Sequence, residues 1–99
     1  MDVIHNQAGQ RFEIHLADGD VAFSDYRPMP GKVMFPHTVV PQAHGGQGVA
    51  SMLAKASLDW ARAQGLKVIP ACSFYADYMK RHAETHDLLD GAAPTAIGH

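Results

Sequence analysis

The chain has 99 residues and a mass of 10.7 kDa, with 46% hydrophobic and 18% charged residues, the size of one domain with enough apolar side chains for a core. Its formal charge of −2, its pI near 6.3 and the scattering of Lys and Arg give no basic field, so nucleic acid is not an expected partner. The single cysteine allows no internal disulfide, no apolar run reaches the ~18 residues of a membrane span, and MDVIHNQAGQ lacks signal-peptide order, so a soluble cytoplasmic protein with no membrane partner is expected.

Arg11 to Leu16 alternates apolar with polar side chains, Ala17-Asp-Gly-Asp20 forms a turn cluster, and Val21 to Tyr26 alternates again, which predicts a β-hairpin. Arg27-Pro-Met-Pro-Gly31 is a second breaker cluster. Lys32 to Val40 reads as a strand inside the sheet, with Val33, Phe35, His37 and Val39 on one face and Met34, Thr38 and Val40 on the other. Pro36 removes a ladder donor and implies a bulge or an early edge position.

Pro41 to Gly48 is a glycine-rich loop that leads into the clearest helix of the chain. Val49, Met52, Leu53, Ala56, Trp60 and Ala63 follow helical spacing, and Gly65 stands where a helix C-terminal glycine belongs. Leu66 to Cys72 reads as a short buried strand. Ser73 then caps a second helix to about Ala83, with Phe74, Tyr75, Tyr78, Met79 and His82 on one face. The order of strand, helix and strand forms a crossover, so a mixed sheet with helices packed on it is expected.

The loop Gly45-Gly46-Gln47-Gly48-Val49-Ala50-Ser51 joins a strand to the first turn of a helix. The first backbone N–H groups of a helix lack partners, and the helix dipole is positive there. Glycines let an anion approach those donors, so a pyrophosphate site is one reading and a simple close-packed turn is the other. A nucleotide P-loop requires Gly-Lys-Ser/Thr, and this loop has Gly48-Val49-Ala50. A dinucleotide fingerprint is only partly matched by Gly46-x-Gly48-x-x-Ser51, and too little chain follows.

Val40, then Gly45-Gly46-Gln47-Gly48-Val49-Ala50, resembles the acyl-CoA motif (Gln/Arg)-x-x-Gly-x-(Gly/Ala) of the GNAT superfamily of N-acetyltransferases. With His37 to Pro41, Val68 to Cys72 and Tyr78 to His82, the chain from about residue 5 to 89 is similar to the very short GNAT-like proteins. One position departs: Gly45 stands where the motif has Gln or Arg, and His44 or Gln47 is available to replace that polar contact. The resemblance implies an α+β fold, a mixed and mostly antiparallel sheet of four to five strands, with a long helix after the loop and a C-terminal helix. It implies one domain over residues 1–89, and the small, Gly- and Ala-rich stretch over 90–99 reads as a flexible tail. It also implies that acetyl-CoA is the cofactor, its pantetheine against the backbone of Val39 and Val40 and its pyrophosphate on the amides from Gly45 to Ser51, and that the partner is a primary amine.

Acetyl transfer to an amine needs a base, polarisation of the carbonyl and protonation of the leaving thiolate. His37 has the unperturbed pKa of ~6.5 that suits a base, or is a strand histidine satisfied by a neighbour. Cys72, beside the start of the second helix, is either a nucleophile or a small buried apolar residue. Tyr78 is the nearest candidate for the acid, although alignment of Ser73-x-x-Ala76 with the family's Asn-x-x-Ala pattern puts Lys80 at that position, and core packing is its other role. His82 and His86 share helical spacing without the HExxH arrangement, and His5, His15, His44 and His99 are dispersed, so no metal is expected. Two rival readings stay open: a non-catalytic CoA-binding or interaction module, and a nucleotide-binding module unrelated to CoA.

Overall fold

The computed structural model describes residues 2–46 and 48–91. One sheet contains, in spatial order, β1 (Ile4–Asn6), β2 (Arg11–His15), β3 (Val21–Met29), β4 (Lys32–Val39) and β5 (Lys67–Ile69). The first three neighbouring pairs are antiparallel and β4 with β5 is parallel. Helix α1 (Val49–Ala63) makes the crossover between β4 and β5, and α2 (Ser73–Arg81) follows β5. This is the mixed α+β architecture expected from the sequence.

The hairpin of β2 and β3 closes where the Leu16 N–H donates to the Asp20 carbonyl at 2.8 Å. β3 runs on to Met29, through Arg27 and Pro28 of the predicted breaker cluster. Because β2 ends at Arg11, opposite Asp25, the later part of β3 is flanked by β4 alone, where proline is tolerated. β1, absent from the sequence reading, is held by its aromatic neighbours. The His5 ring stacks on Phe12 with centroids 4.2 Å apart, and its Nε2 lies 2.6 Å from the Tyr26 hydroxyl.

The pairing of β3 with β4 contains the irregularity that Pro36 implied. Asp25 faces His37 but Arg27 faces Met34, so β4 has one extra residue at Phe35-Pro36. That residue reverses the alternation of side chains. Val33 and Phe35 are fully buried among the core residues, whereas His37 and Val39 are exposed. The single face expected for Val33, Phe35, His37 and Val39 is therefore split at the bulge, and Thr38 takes the helix side.

α1 buries Val49, Leu53, Ala54, Ser57, Leu58 and Ala61, so its inner stripe is rotated from the expected one. Met52 and Trp60 sit at its margins and Ala63 is exposed. Each buried leucine contributes about 1.5–3 kcal/mol. Ser57 is tolerated in the core because its hydroxyl reaches the Ala54 carbonyl at 3.1 Å and the Tyr75 hydroxyl at 2.6 Å. Tyr75 also accepts from Ser24 Oγ at 2.6 Å and stacks on Phe35, with centroids 4.6 Å apart. These three hydroxyls tie β3, α1 and α2 together.

β5 is shorter than expected because Pro70 cannot donate to the ladder. Cys72, not Ser73, occupies the N-cap of α2. α2 ends at Arg81 because His82 leaves helical space, at φ −120° and ψ 90°. A 3-10 segment from Ala83 to Leu88, unforeseen in the sequence, then buries Leu88. It brings the chain back to the sheet, where the Asp90 N–H donates to the Val68 carbonyl at 2.8 Å. The expected tail over 90–99 lies outside the described residues except for Asp90 and Gly91. Among the described residues no helix is long and apolar enough to cross a membrane.

Candidate active site

β5 ends at Ile69, opposite Met34, so a gap opens beside the rest of β4 on its way to the glycine loop. β5 pairs with β4 only from Lys32 to Met34, while β4 continues to Val39. One further link, from the Cys72 N–H to the Phe35 carbonyl at 2.9 Å, closes the base of this gap. Past it, the β4 edge has no β5 partner among the described residues.

At the mouth of the gap the chain turns into α1. Gly48 is the N-cap of α1 with φ 76°, and Gly46 has φ 81°, both in the left-handed region that favours glycine. A side chain added at either position would meet nothing within 4 Å, so the space in front of the turn is open. No side chain caps the helix and no acidic residue lies in its first turn. Its first amides thus combine unsatisfied donors with the positive end of the dipole. They border a groove of about 310 Å³ whose lining includes Val40, Gly45, Gly46, Gly48, Val49, Ala50 and Ser51. All of these were candidates from the sequence. Val39 is outside the lining, with its side chain 44% exposed, and Gln47 is outside the described residues.

Sequence reasoning missed Phe74 in this groove, and it named His44 as a polar contact without its partner Asp18. Phe74, at the start of α2, supplies an aromatic wall. His44, in the 3-10 turn Gln42–His44, lines the groove while its Nε2 lies 2.7 Å from Asp18 Oδ2 and 3.7 Å from Asp20 Oδ2. The Asp18 carboxyl is held below its ordinary value by the Asp20 backbone N–H and then by His44.

The three catalytic candidates are spread around β4. Cys72 is half-buried, with Sγ 3.4 Å from Thr38 Oγ1 on the helix side of the strand. His37 is exposed on the opposite face. Asp25 accepts from its backbone N–H at 3.1 Å and lies 3.2 Å from Nδ1 through its other oxygen. A carboxylate only accepts, so Nδ1 carries the proton and the Nε2 lone pair faces outward. Tyr78 is apart from both. It lines a second cavity of about 250 Å³ with Lys55, Asp59, Arg62 and Glu84, and stacks on His82 with centroids 3.8 Å apart. Burial, with a smaller contribution from Glu84, raises its phenol pKa. The ring of His82 is bonded to the Tyr78 carbonyl, Nδ1 to oxygen, at 2.7 Å.

The face that carries His37 is ordered in rows. Ile4, Glu13, Phe23 and Val39 lie side by side across four strands, next to a polar row of Asn6, Arg11, Asp25 and His37. Glu13 is buried there and receives Asn6 Nδ2 at 2.9 Å, Arg11 Nε at 2.6 Å and His15 Nε2 at 2.9 Å. Those bonds, led by Asn6, lower its pKa to about 2.

A sheet that opens beside a glycine turn at a helix N-terminus defines the acyl-CoA N-acyltransferase fold. The family model of the GCN5-related N-acetyltransferases matches residues 11–88, and the chain belongs to that family. Protein NATD1 of Gallus gallus is 33% identical over 87 residues, covering 83% of this chain and 76% of that protein. Protein NATD1 of Mus musculus is 34% identical over 85 residues, covering 81% and 74%. The solution structure of a GCN5-like protein from Staphylococcus aureus superposes with a TM-score of 0.71 at 28% identity, covering 89% of this chain and 86% of that one.

Proposed function

We propose that the protein binds acetyl-CoA and transfers the acetyl group to a primary amine by direct attack. The observation that carries this reading is the cradle of uncapped amides from Gly48 to Ser51, without an acidic residue, at the mouth of the gap between β4 and β5. That donor set suits a pyrophosphate, and the amides of Gly45, Gly46, Gly48, Val49, Ala50 and Ser51 hold it, with Gln47 in the same stretch of sequence. The unpaired edge at Val39 and Val40 offers backbone groups to the amides of a pantetheine arm. Acetyl-CoA supplies an activated thioester.

His37, oriented by Asp25, takes the proton from the acceptor amine through Nε2. The competing role for Cys72, transient acylation of its thiol, needs a base in reach of Sγ. Its hydrogen-bond partner there is the Thr38 hydroxyl, which is not a base at neutral pH, and this favours direct attack. Tyr78 has no part in this route, because it lines another cavity. Gly45 at the motif's Gln or Arg position favours the second reading, a module that binds CoA without turnover.

Calorimetric titration with acetyl-CoA tests the proposal, and no binding at millimolar ligand refutes it. Release of CoA in the presence of an amine mixture then separates the enzyme from the binder, which gives none. Gly48→Glu, at a position with φ 76° and open space, abolishes binding at a backbone cost of about 1–2 kcal/mol.

A further inference from the structure

Backbone amides carry no net charge, so a cationic side chain beside an anion cradle adds attraction that the amides alone lack. This groove has neither lysine nor arginine among the described residues that line it; its basic side chain is His44. The imidazole is mostly buried, 16% exposed, so its position is fixed by what it touches. Among the described residues, the charged groups facing it are Asp18 at 2.7 Å and Asp20 at 3.7 Å, both from the turn between β2 and β3. Asp18 is itself held in place, since its Oδ1 accepts from the Asp20 N–H at 3.0 Å. That turn closes the β2–β3 hairpin, 26 residues away in sequence from His44. The loop whose amides form the cradle is therefore anchored, one residue before Gly45, to the end of the sheet.

We infer that Asp18 is a positioning residue for the cofactor: through an ion pair it holds the His44 imidazolium at the lip of the glycine cradle, and this pair sets the groove's affinity for the pyrophosphate. The inference rests on the acetyl-CoA reading for its ligand, but the device itself requires only an anion. Protonated His44 balances one of the two carboxylates and adds attraction for phosphate. Neutral His44 leaves both carboxylates uncompensated beside an anion site. Affinity accordingly falls as pH rises through the titration of His44.

The test is calorimetric titration of the full chain with acetyl-CoA and, separately, with inorganic pyrophosphate, at pH 6 and pH 8. Both ligands titrate in this range, so the quantity read is the ratio of wild-type affinity to that of His44→Gln at each pH. The expected ratio is about fivefold at pH 6 and near one at pH 8. Asp18→Asn is expected to lose most of the advantage at pH 6. His44→Lys, with a permanent cation, is expected to bind more tightly than His44→Gln at pH 8. A purely structural role for the pair would not produce this rescue. A ratio that is equal at both pH values, or Asp18→Asn binding as tightly as wild type, overturns the inference. If acetyl-CoA binds with no pH-dependent ratio, the acetyltransferase reading stands and the device falls. If pyrophosphate shows the pattern and acetyl-CoA does not bind, the device stands and that reading falls. If neither ligand binds, both fall.

Discussion

Ser51→Glu separates anion binding from helix stability, because the two effects have opposite signs at this position. Ser51 is the third residue of α1 after the Gly48 cap, it is exposed, and no acid lies in the first turn. A glutamate there meets the positive end of the dipole and reaches back to the cap N–H, which stabilises the helix by about 0.3–1 kcal/mol. The same carboxylate stands beside the proposed pyrophosphate and competes for its donors. At a separation of about 5 Å, and an effective dielectric between about 20 and 80, each pair of like charges costs about 1–3 kcal/mol. Acetyl-CoA affinity is then expected to drop by about 5- to 150-fold while the thermal midpoint stays level or rises. Calorimetric titration and a melting curve on the same sample measure both. A variant that melts no lower than wild type and binds within twofold of it would refute the placement of the phosphate on this turn.

Tyr75→Phe removes the hydroxyl shared by Ser24 and Ser57, each 2.6 Å away and fully buried, and is expected to cost about 1–3 kcal/mol in urea unfolding; a change below about 0.5 kcal/mol contradicts the network. Burial pushes the Tyr75 phenol up to about 12, so ultraviolet titration of the folded protein should show a phenol still protonated at pH 11 whose high-pH step is missing in Tyr75→Phe. Glu13, held at about 2 in the fold against 4.5 as its ordinary value, contributes stability that is fully present above about pH 4.5 and lost as pH falls toward 2. The loss is about 1–3 kcal/mol, and Glu13→Gln should flatten the curve over that window. His37→Ala and Asp25→Asn should lower kcat for acetyl transfer by about 10²- to 10⁴-fold and by less, respectively, with little change in acetyl-CoA affinity. Cys72→Ala should retain turnover, and a loss as large as that of His37→Ala would move the chemistry to the thiol.

The parts of the fold legible in the sequence are those set by neighbours in the chain. Helical spacing from Val49, the glycines before it and the turn at Ala17 to Asp20 each state their own conformation within a few residues. Pro36 announced the bulge for the same reason, since its missing donor is a local fact. What the bulge does to His37 was not legible, because the face of a residue past a bulge depends on its register with β3, and Asp25 settles that from another strand. The stripe of α1 was rotated by one polar residue, Ser57, whose burial requires the hydroxyl of Tyr75 18 residues later. The spacing of α2 put Tyr78 on the inner face but could not say that its neighbours there are Lys55, Asp59 and Glu84. The pairing of His44 with Asp18 was hidden similarly: the turn residues of a hairpin read as solvent-exposed until a tertiary contact uses them.

The reversal at Pro36 also divides the labour of the two faces of the sheet. On the helix side, Cys72 bonds to Thr38 beside the gap and the core hydroxyls tie α2 to β3. On the other side neither α1 nor α2 covers the row of Asn6, Arg11, Asp25 and His37, and the side chains there are ordered by one another. An acceptor amine that arrived from the helix side would have to pass Tyr75, Phe35 and Met79, all almost wholly buried. From the open side it meets His37 first, and reaches the unpaired edge of β4 without displacing any core residue. The bulge turns His37, the proposed base, toward solvent, and under that proposal the open face becomes the acceptor's approach.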